Sequence, residues 1–393
     1  MEIKPADCIA NVKPYFFSSL NNKIDRLKNR GVDVIRLDMG SPDLPPAPFI
    51  IEALVDSARK PNKHGYTQSG GSHVYRNAVA NYYESRFDVR LDPDSEIVGL
   101  IGSKEGVFNL PRILLNPGNL VLAPDPCYPV YNAGSTIANC EVFHLPLVKE
   151  NDFLPDLDEI PLEVVQRAKL MWLNYPNNPT GAVAGFGFFE KLIWFAKKNG
   201  IIIAHDAPYV DVTFDQYKAP SLLQVDGARD VAIEFNSLSK TYNMAGWRLG
   251  MAVGNPDIIH LLKVYKSQID SSHFGPIMDA GAEALTGDQS WVKERNQVYQ
   301  ERRDIIVESL WEAGFELEKP RAALYVWARL PVGYGDTVEL CARLLEETGV
   351  SITPGIVYGP SGGDYVRISI VTPTARIKEA TDRMLAWLKK EKI

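Results

Sequence analysis

VAIEFNSLSKTYNMAGWRLGMAV, residues 231–253, is the stretch on which the fold turns. Two short apolar runs, VAIEF (231–235) and LGMAV (249–253), flank a polar segment that carries Lys240 among hydroxyls and Arg248 beyond it. Runs of that length, bounded by Gly, Pro, Asn or Asp and without polar alternation, read as strands buried on both faces. The same unit recurs upstream in IVGLI (97–101), LVLA (120–123), EVFHL (141–145), KLMWL (169–173) and GIIIA (200–204), with helical stretches between. Doubly buried strands alternating with helices form a largely parallel sheet, so the pattern predicts an α/β domain of about seven strands spanning residues 45–287.

The flanks read differently. Residues 288–314 form a charged amphipathic helical stretch, followed by strand-like LYVWARL (324–330), VSIT (350–353) and YVRISIV (365–371). A helical segment (336–349) separates them and a C-terminal helix closes the chain, an order that predicts a smaller α+β domain. Residues 1–44 are too few to fold alone and are expected to join 288–393 in that domain. The Pro-rich SPDLPPAP (41–48) reads as an ordered crossing between the two.

Composition narrows the function classes. With 42 Lys+Arg against 49 Asp+Glu, a net charge of −7 and 45% hydrophobic residues, the chain is an ordinary globular protein. It lacks the clustered basic footprint that nucleic acid or an anionic membrane would require. Cys8, Cys127, Cys140 and Cys341 form no C-x-x-C pair, so neither a metal ribbon nor a redox dithiol is encoded locally. The N-terminal MEIKPADCIANVKPYFF lacks a basic start plus apolar run, and no apolar run approaches a membrane span. A soluble, cytoplasmic protein with no bound metal is the expectation.

Ligands of an open α/β sheet bind beyond the carboxyl ends of its strands, so the polar residues after each run are the candidates. IVGLI is followed by Gly102-Ser103-Lys104-Glu105-Gly106 and a helix, a turn whose free N–H groups can hold a phosphate. An ordinary turn capped by Ser103 is the plainer alternative. Walker A and dinucleotide glycine motifs are absent from the sequence. KLMWL leads into NYPNNPTG (174–181), and GIIIA into His205-Asp206-Ala207-Pro208-Tyr209, where a lone Asp most often caps a helix. Lys240 is the sharper signal, because a lysine held in a pocket behind a buried strand can lose its proton and form a Schiff base with a carbonyl. Arg248, with its planar fork, suits a phosphate dianion.

Together these clusters carry a resemblance. SLSKTYNMAGWRLG (237–250), with NYPNNPTGA (174–182) and DAPY (206–209) upstream in the same order, closely resembles the class I/II aminotransferases, fold-type-I enzymes that use pyridoxal 5′-phosphate. The resemblance covers nearly the whole chain. It implies that Lys240 is the Schiff-base lysine and proton-transfer base, and that Asp206 keeps the pyridine nitrogen protonated as an electron sink. It further implies that Asn178 and Tyr209 bond the phenolate oxygen and that Tyr128 stacks on the ring. Ser103, Lys104, Ser237, Ser239 and Arg248 would hold the phosphate. Arg367 and Gly40 would receive the substrate α-carboxylate, and Tyr66 would reach the phosphate of a neighbouring subunit, so that a homodimer shares its active sites.

Within the family, IGSKEG (101–106) and KPYFF (13–17) are similar to the branch that includes LL-diaminopimelate aminotransferases, where a tyrosine, here Tyr15, faces the substrate. A lysine at the place of Lys104 contacts a distal carboxylate in related aspartate enzymes, which implies glutamate/2-oxoglutarate as one pair. LL-diaminopimelate, aspartate or alanine would be the other, exchanged by ping-pong chemistry. A β-eliminating C–S lyase of the same fold would use the same residues. The run Gly359-Pro360-Ser361-Gly362-Gly363 fits an α/β-hydrolase elbow, but that architecture needs a histidine after the serine, and none follows Ser361.

Overall fold

The structure is a computed structural model describing residues 3–10, 12, 16–331 and 333–391. Among these residues twelve strands make three sheets. In chain order they are β1 (Ile35–Arg36), β2 (Ile97–Leu100), β3 (Leu120–Asp125), β4 (Glu141–Pro146), β5 (Ala168–Leu173) and β6 (Ile202–Asp206). There follow β7 (Ala232–Ser237), β8 (Gly250–Gly254), β9 (Tyr325–Arg329), β10 (Val350–Ser351), β11 (Thr353–Pro354) and β12 (Tyr365–Ser369).

Each of the seven apolar runs between residues 97 and 254 is a strand of one sheet, ordered β2-β8-β7-β6-β5-β3-β4. Strand β8 runs antiparallel to both its neighbours, and the remaining pairings are parallel. The side chains of β3, β7 and β8 are buried throughout, because helices cover both faces. Strand β4 departs from the expected double burial. It has one neighbour, β3, and exposes Glu141, His144 and Pro146, whereas the opposite edge strand, β2, is buried throughout.

VSIT also differs from its reading as one strand. Val350–Ser351 pairs in parallel with β1, whereas Thr353–Pro354 pairs antiparallel with β12, so a single residue separates two sheets. The first pairing fastens the N-terminal segment onto the C-terminal one. Ile35, Leu37, Val350, Ile352, Val366 and Ile368 share a core with the long helix Ser290–Glu312 and the C-terminal helix Thr374–Glu391. Among the described residues no helix is long and apolar enough to cross a membrane.

Ile368 is fully buried at the centre of the three-stranded sheet β11-β12-β9. Ile368→Ala is expected to cost about 3 kcal/mol from lost burial and the cavity left behind, read from the urea midpoint. A loss below about 1 kcal/mol would contradict the packing described.

Candidate active site

The trailing ends of the parallel strands meet at one edge of the large sheet. Because β8 runs the other way, Arg248, two residues before it, arrives at that same edge. A cavity of about 560 Å³ opens there. It is lined from the sheet side by Ser103, Lys104, Tyr128, Asn178, Asp206, Tyr209, Ser237, Ser239, Lys240 and Arg248, and from the facing segments by Gly40 and Arg367. Two residues singled out from the sequence are not among those named. Tyr66 is 97% exposed and away from this cavity, and Tyr15 falls outside the described residues.

Lys240 sits on the single-turn helix Leu238–Thr241 directly behind β7. Its Nζ donates to the backbone oxygen of Gly40. Burial pushes the ammonium pKa down; Tyr325 opposes this, Arg367 and Arg248 reinforce it, and Asp206 opposes it. The amine therefore gives up its proton more readily than a surface lysine, as a nucleophile must.

Asp206 ends β6 and is 5% exposed. Oδ2 accepts a hydrogen bond from the Tyr131 hydroxyl at 2.9 Å, while Oδ1 is buried without a partner. Desolvation pushes its carboxyl up to about 6, against the lowering pull of Tyr131, His205 and Lys240. Asn174 fixes the surrounding backbone: its Nδ2 donates to Asp206 O at 2.6 Å and its Oδ1 accepts from Asn178 N at 2.7 Å.

Arg367 is 3% exposed and joins three distant segments. Nη1 donates to Asn178 Oδ1 at 3.0 Å and Nη2 to Asp38 O at 2.7 Å, while Nε is buried without a partner. The rings of Tyr325 and Tyr358 lie 4.1 Å and 4.8 Å from its guanidinium carbon. The Asp38 carboxylate is itself gripped by the fork of Arg36 at 2.8 Å and 2.5 Å. Tyr209 and Tyr325 share a hydrogen bond of 3.0 Å between their hydroxyls.

At the other end of the cavity, the helix Ser103–Leu114 begins immediately after Gly102, so Ser103 is its first residue and not its cap. The residue Arg248 holds a left-handed backbone, φ 58°, and its oxygen accepts from His273 Nε2 at 2.6 Å. That turn lays the guanidinium across Gly102, where an added Cβ would fall 2.3 Å from Nη2. Ser237 Oγ accepts from Ser239 N at 3.2 Å, which keeps both hydroxyls at the same corner.

Tyr131, Tyr325 and the Arg36–Asp38 pair are not evident from the strand-end rule, whereas Asn174 directly follows β5. Tyr131 lies one helical turn beyond Tyr128, and that spacing was the available signal. Tyr325 opens β9, a strand without a motif of its own.

The donor set fits pyridoxal phosphate. A buried carboxylate oxygen without a partner suits a ring N–H, a helix start with Ser237, Ser239 and Arg248 suits a phosphate, and a desolvated amine suits an aldehyde. The sequence profile described as aminotransferase class I and II matches residues 32–384. This chain belongs to the class I and II aminotransferases. As a member of that family it is a pyridoxal-phosphate-dependent aminotransferase of fold type I. It is 48% identical over 376 residues to an LL-diaminopimelate aminotransferase of Moorella thermoacetica, with 96% of each chain covered. An LL-diaminopimelate aminotransferase of Desulforudis audaxviator is 47% identical over 388 residues, covering 99% of both. Among solved structures, substrate-bound BacF from Bacillus subtilis aligns with a TM-score of 0.94 at 36% identity and 98% coverage of both chains. The Moorella and Desulforudis relatives are named aminotransferases and lend no support to a lyase. The hydrolase-like Ser361 lies in the short 3-10 helix Pro360–Gly362, and its hydroxyl donates to Asp125 Oδ2 at 2.9 Å.

Lys240→Ala is expected to abolish the visible band of the bound cofactor near roughly 400–430 nm together with turnover. Retention of both would exclude Lys240 as the covalent residue. Gly102→Ala is expected to displace Arg248 and weaken cofactor affinity about tenfold, measured by fluorescence titration of the apo-protein. Unchanged affinity would remove Arg248 from the phosphate site.

Proposed function

We propose that this aminotransferase exchanges the amino group of LL-diaminopimelate with a 2-oxo acid, 2-oxoglutarate, by ping-pong kinetics. The observation that carries this reading is similarity along 96–99% of the chain to relatives named LL-diaminopimelate aminotransferase, at 46–48% identity. We place the enzyme in the cytoplasm as a homodimer with shared sites. The 97% exposure of Tyr66 is compatible with the second point, since the ring is open to contact by a second subunit.

Pyridoxal phosphate, when bound, supplies an aldehyde that condenses with amines and a cationic ring that accepts the electron pair left at the substrate Cα. The chain's own residues would prepare each step. Lys240 Nζ would hold the cofactor and serve as the base for the proton at the substrate Cα. Asp206 Oδ1 would accept from the ring N–H. Asn178 and Tyr209 would bond the phenolate oxygen, Tyr128 would stack on the ring, and Ser103, Lys104, Ser237, Ser239 and Arg248 would hold the phosphate, with Tyr66 of a second subunit. Arg367 offers its remaining N–H groups to the α-carboxylate, with Gly40 beside it, and its plane is already fixed by Tyr325, Asn178 and Asp38. Lys104 would contact a distal carboxylate of the substrate, and the resemblance assigns Tyr15, which lies outside the described residues, to the substrate as well.

Half-reactions with LL-diaminopimelate, aspartate, glutamate and alanine test the donor. LL-diaminopimelate and glutamate are expected to bleach the aldehyde chromophore to the amine form; an inert LL-diaminopimelate beside a reactive aspartate or alanine would contradict the proposal. Arg367→Ala is expected to keep the colour and raise the donor KM about a hundredfold, the loss of a charge-assisted carboxylate contact. An unchanged KM would refute the clamp.

A further inference from the structure

We infer that Tyr131 is a positioning residue for the cofactor: its phenol, bound to Oδ2, keeps the Asp206 carboxylate anionic and leaves Oδ1 for the ring nitrogen. This rests on the cofactor assignment and is independent of which amino acid is the donor.

Tyr131 lies on the helix Val130–Ile137, fully buried, with its hydroxyl 2.9 Å from Asp206 Oδ2. Its ring is held on two sides. It stacks on Trp172 at 5.0 Å and 10° between planes, and meets Tyr128 edge-on at 5.9 Å. The backbone is pinned as well, because Tyr131 O accepts from Ser135 Oγ at 2.8 Å. A donor immobilised in this way needs no reorganisation when charge develops on its partner.

The other polar groups around Asp206 are committed elsewhere. On its own strand, His205 directs Nδ1 to Glu234 Oε2 at 2.9 Å. From the strand before, Asn174 Nδ2 donates to the Asp206 backbone and not to the carboxylate. Lys240, behind the strand after, donates to Gly40 O, and Tyr209 pairs with Tyr325. Tyr131 thus makes the hydrogen bond that favours the ionised carboxylate, and burial beside Asp206 raises its own pKa, so it remains a phenol and a donor.

Without that bond the carboxylate would bind a proton more tightly and draw the proton away from the ring nitrogen. A less cationic ring withdraws less charge from the nitrogen that links Lys240 to the cofactor, which then holds its own proton more tightly. The pH midpoint of the visible absorbance reads this directly.

The test uses holoenzyme with Tyr131→Phe, which keeps the stacked ring and removes the hydroxyl. The midpoint is expected to move up by about 0.5 unit or more, and the half-reaction rate with glutamate to fall about tenfold. A second protein carries 3-fluorotyrosine at position 131; its more acidic phenol donates more strongly and is expected to move the midpoint down. Loosened packing cannot produce opposite shifts, and the fluorotyrosine protein decides the matter where the Phe variant fails to fold. Trp172→Phe, which alters the packing behind Tyr131 and spares its hydroxyl, is expected to leave the midpoint unmoved. A coloured Phe variant with an unmoved midpoint, a fluorotyrosine protein with an unmoved midpoint, or shifts of the same sign in the two would overturn the role of Tyr131 alone. Failure of every protein, wild type included, to take up cofactor would instead overturn the family reading.

Discussion

A single carboxylate, buried at the end of a central strand with one oxygen tied and the other bare, sets the terms for the whole site. Placing Asp206 there is unfavourable in isolation, as its raised proton affinity records. The cost is offset in part by the Tyr131 hydroxyl, His205 and Lys240, and Lys104, Arg248 and Arg367 line the same cavity. Charge in this cavity is therefore unbalanced toward positive, with the Asp38 carboxylate already claimed by Arg36. A molecule carrying a phosphate at one end and a carboxylate at the other, with a protonated ring nitrogen between them, would balance it.

The same requirement explains why the chain closes on itself. Arg367 reaches Asp38 across the molecule, Lys240 reaches Gly40, and the pairing of β1 with β10 holds that N-terminal segment in place. A second link joins the segment before Tyr128 to residues 358–361: Cys127 N donates to Tyr358 O at 2.8 Å, and the Asp125 carboxylate accepts from Ser361 N and Oγ. Residues that would clamp a substrate thus rest on segments fixed at both ends, which is what holding reactive groups within fractions of an ångström demands.

Much of this was legible in the chain. Seven apolar runs are seven strands because burial on both faces leaves no room for polar alternation, and the strand-end rule points to Asp206, Lys240 and Ser103, which line the cavity. The exposed edge of β4 was not legible, since its apolar residues look the same whether one neighbour or two flank them. Nor was the division of VSIT between two sheets, which depends on a partner strand 315 residues earlier in Ile35↔Val350. Tyr131 and Tyr325 escaped for a similar reason. Each acts through a contact with a residue remote in sequence, 75 positions for Tyr131 to Asp206 and 116 for Tyr325 to Tyr209, and neither lies in a strand-end motif.

Borohydride reduction of the purified holoenzyme, followed by peptide mapping, bears most directly on the covalent assignment at the centre of the site. Reduction makes the link between cofactor and protein permanent, and the modified peptide is expected to be the one that contains Lys240. Label on Lys104 or any other lysine, or a protein that carries no label after reconstitution with pyridoxal phosphate, would contradict it.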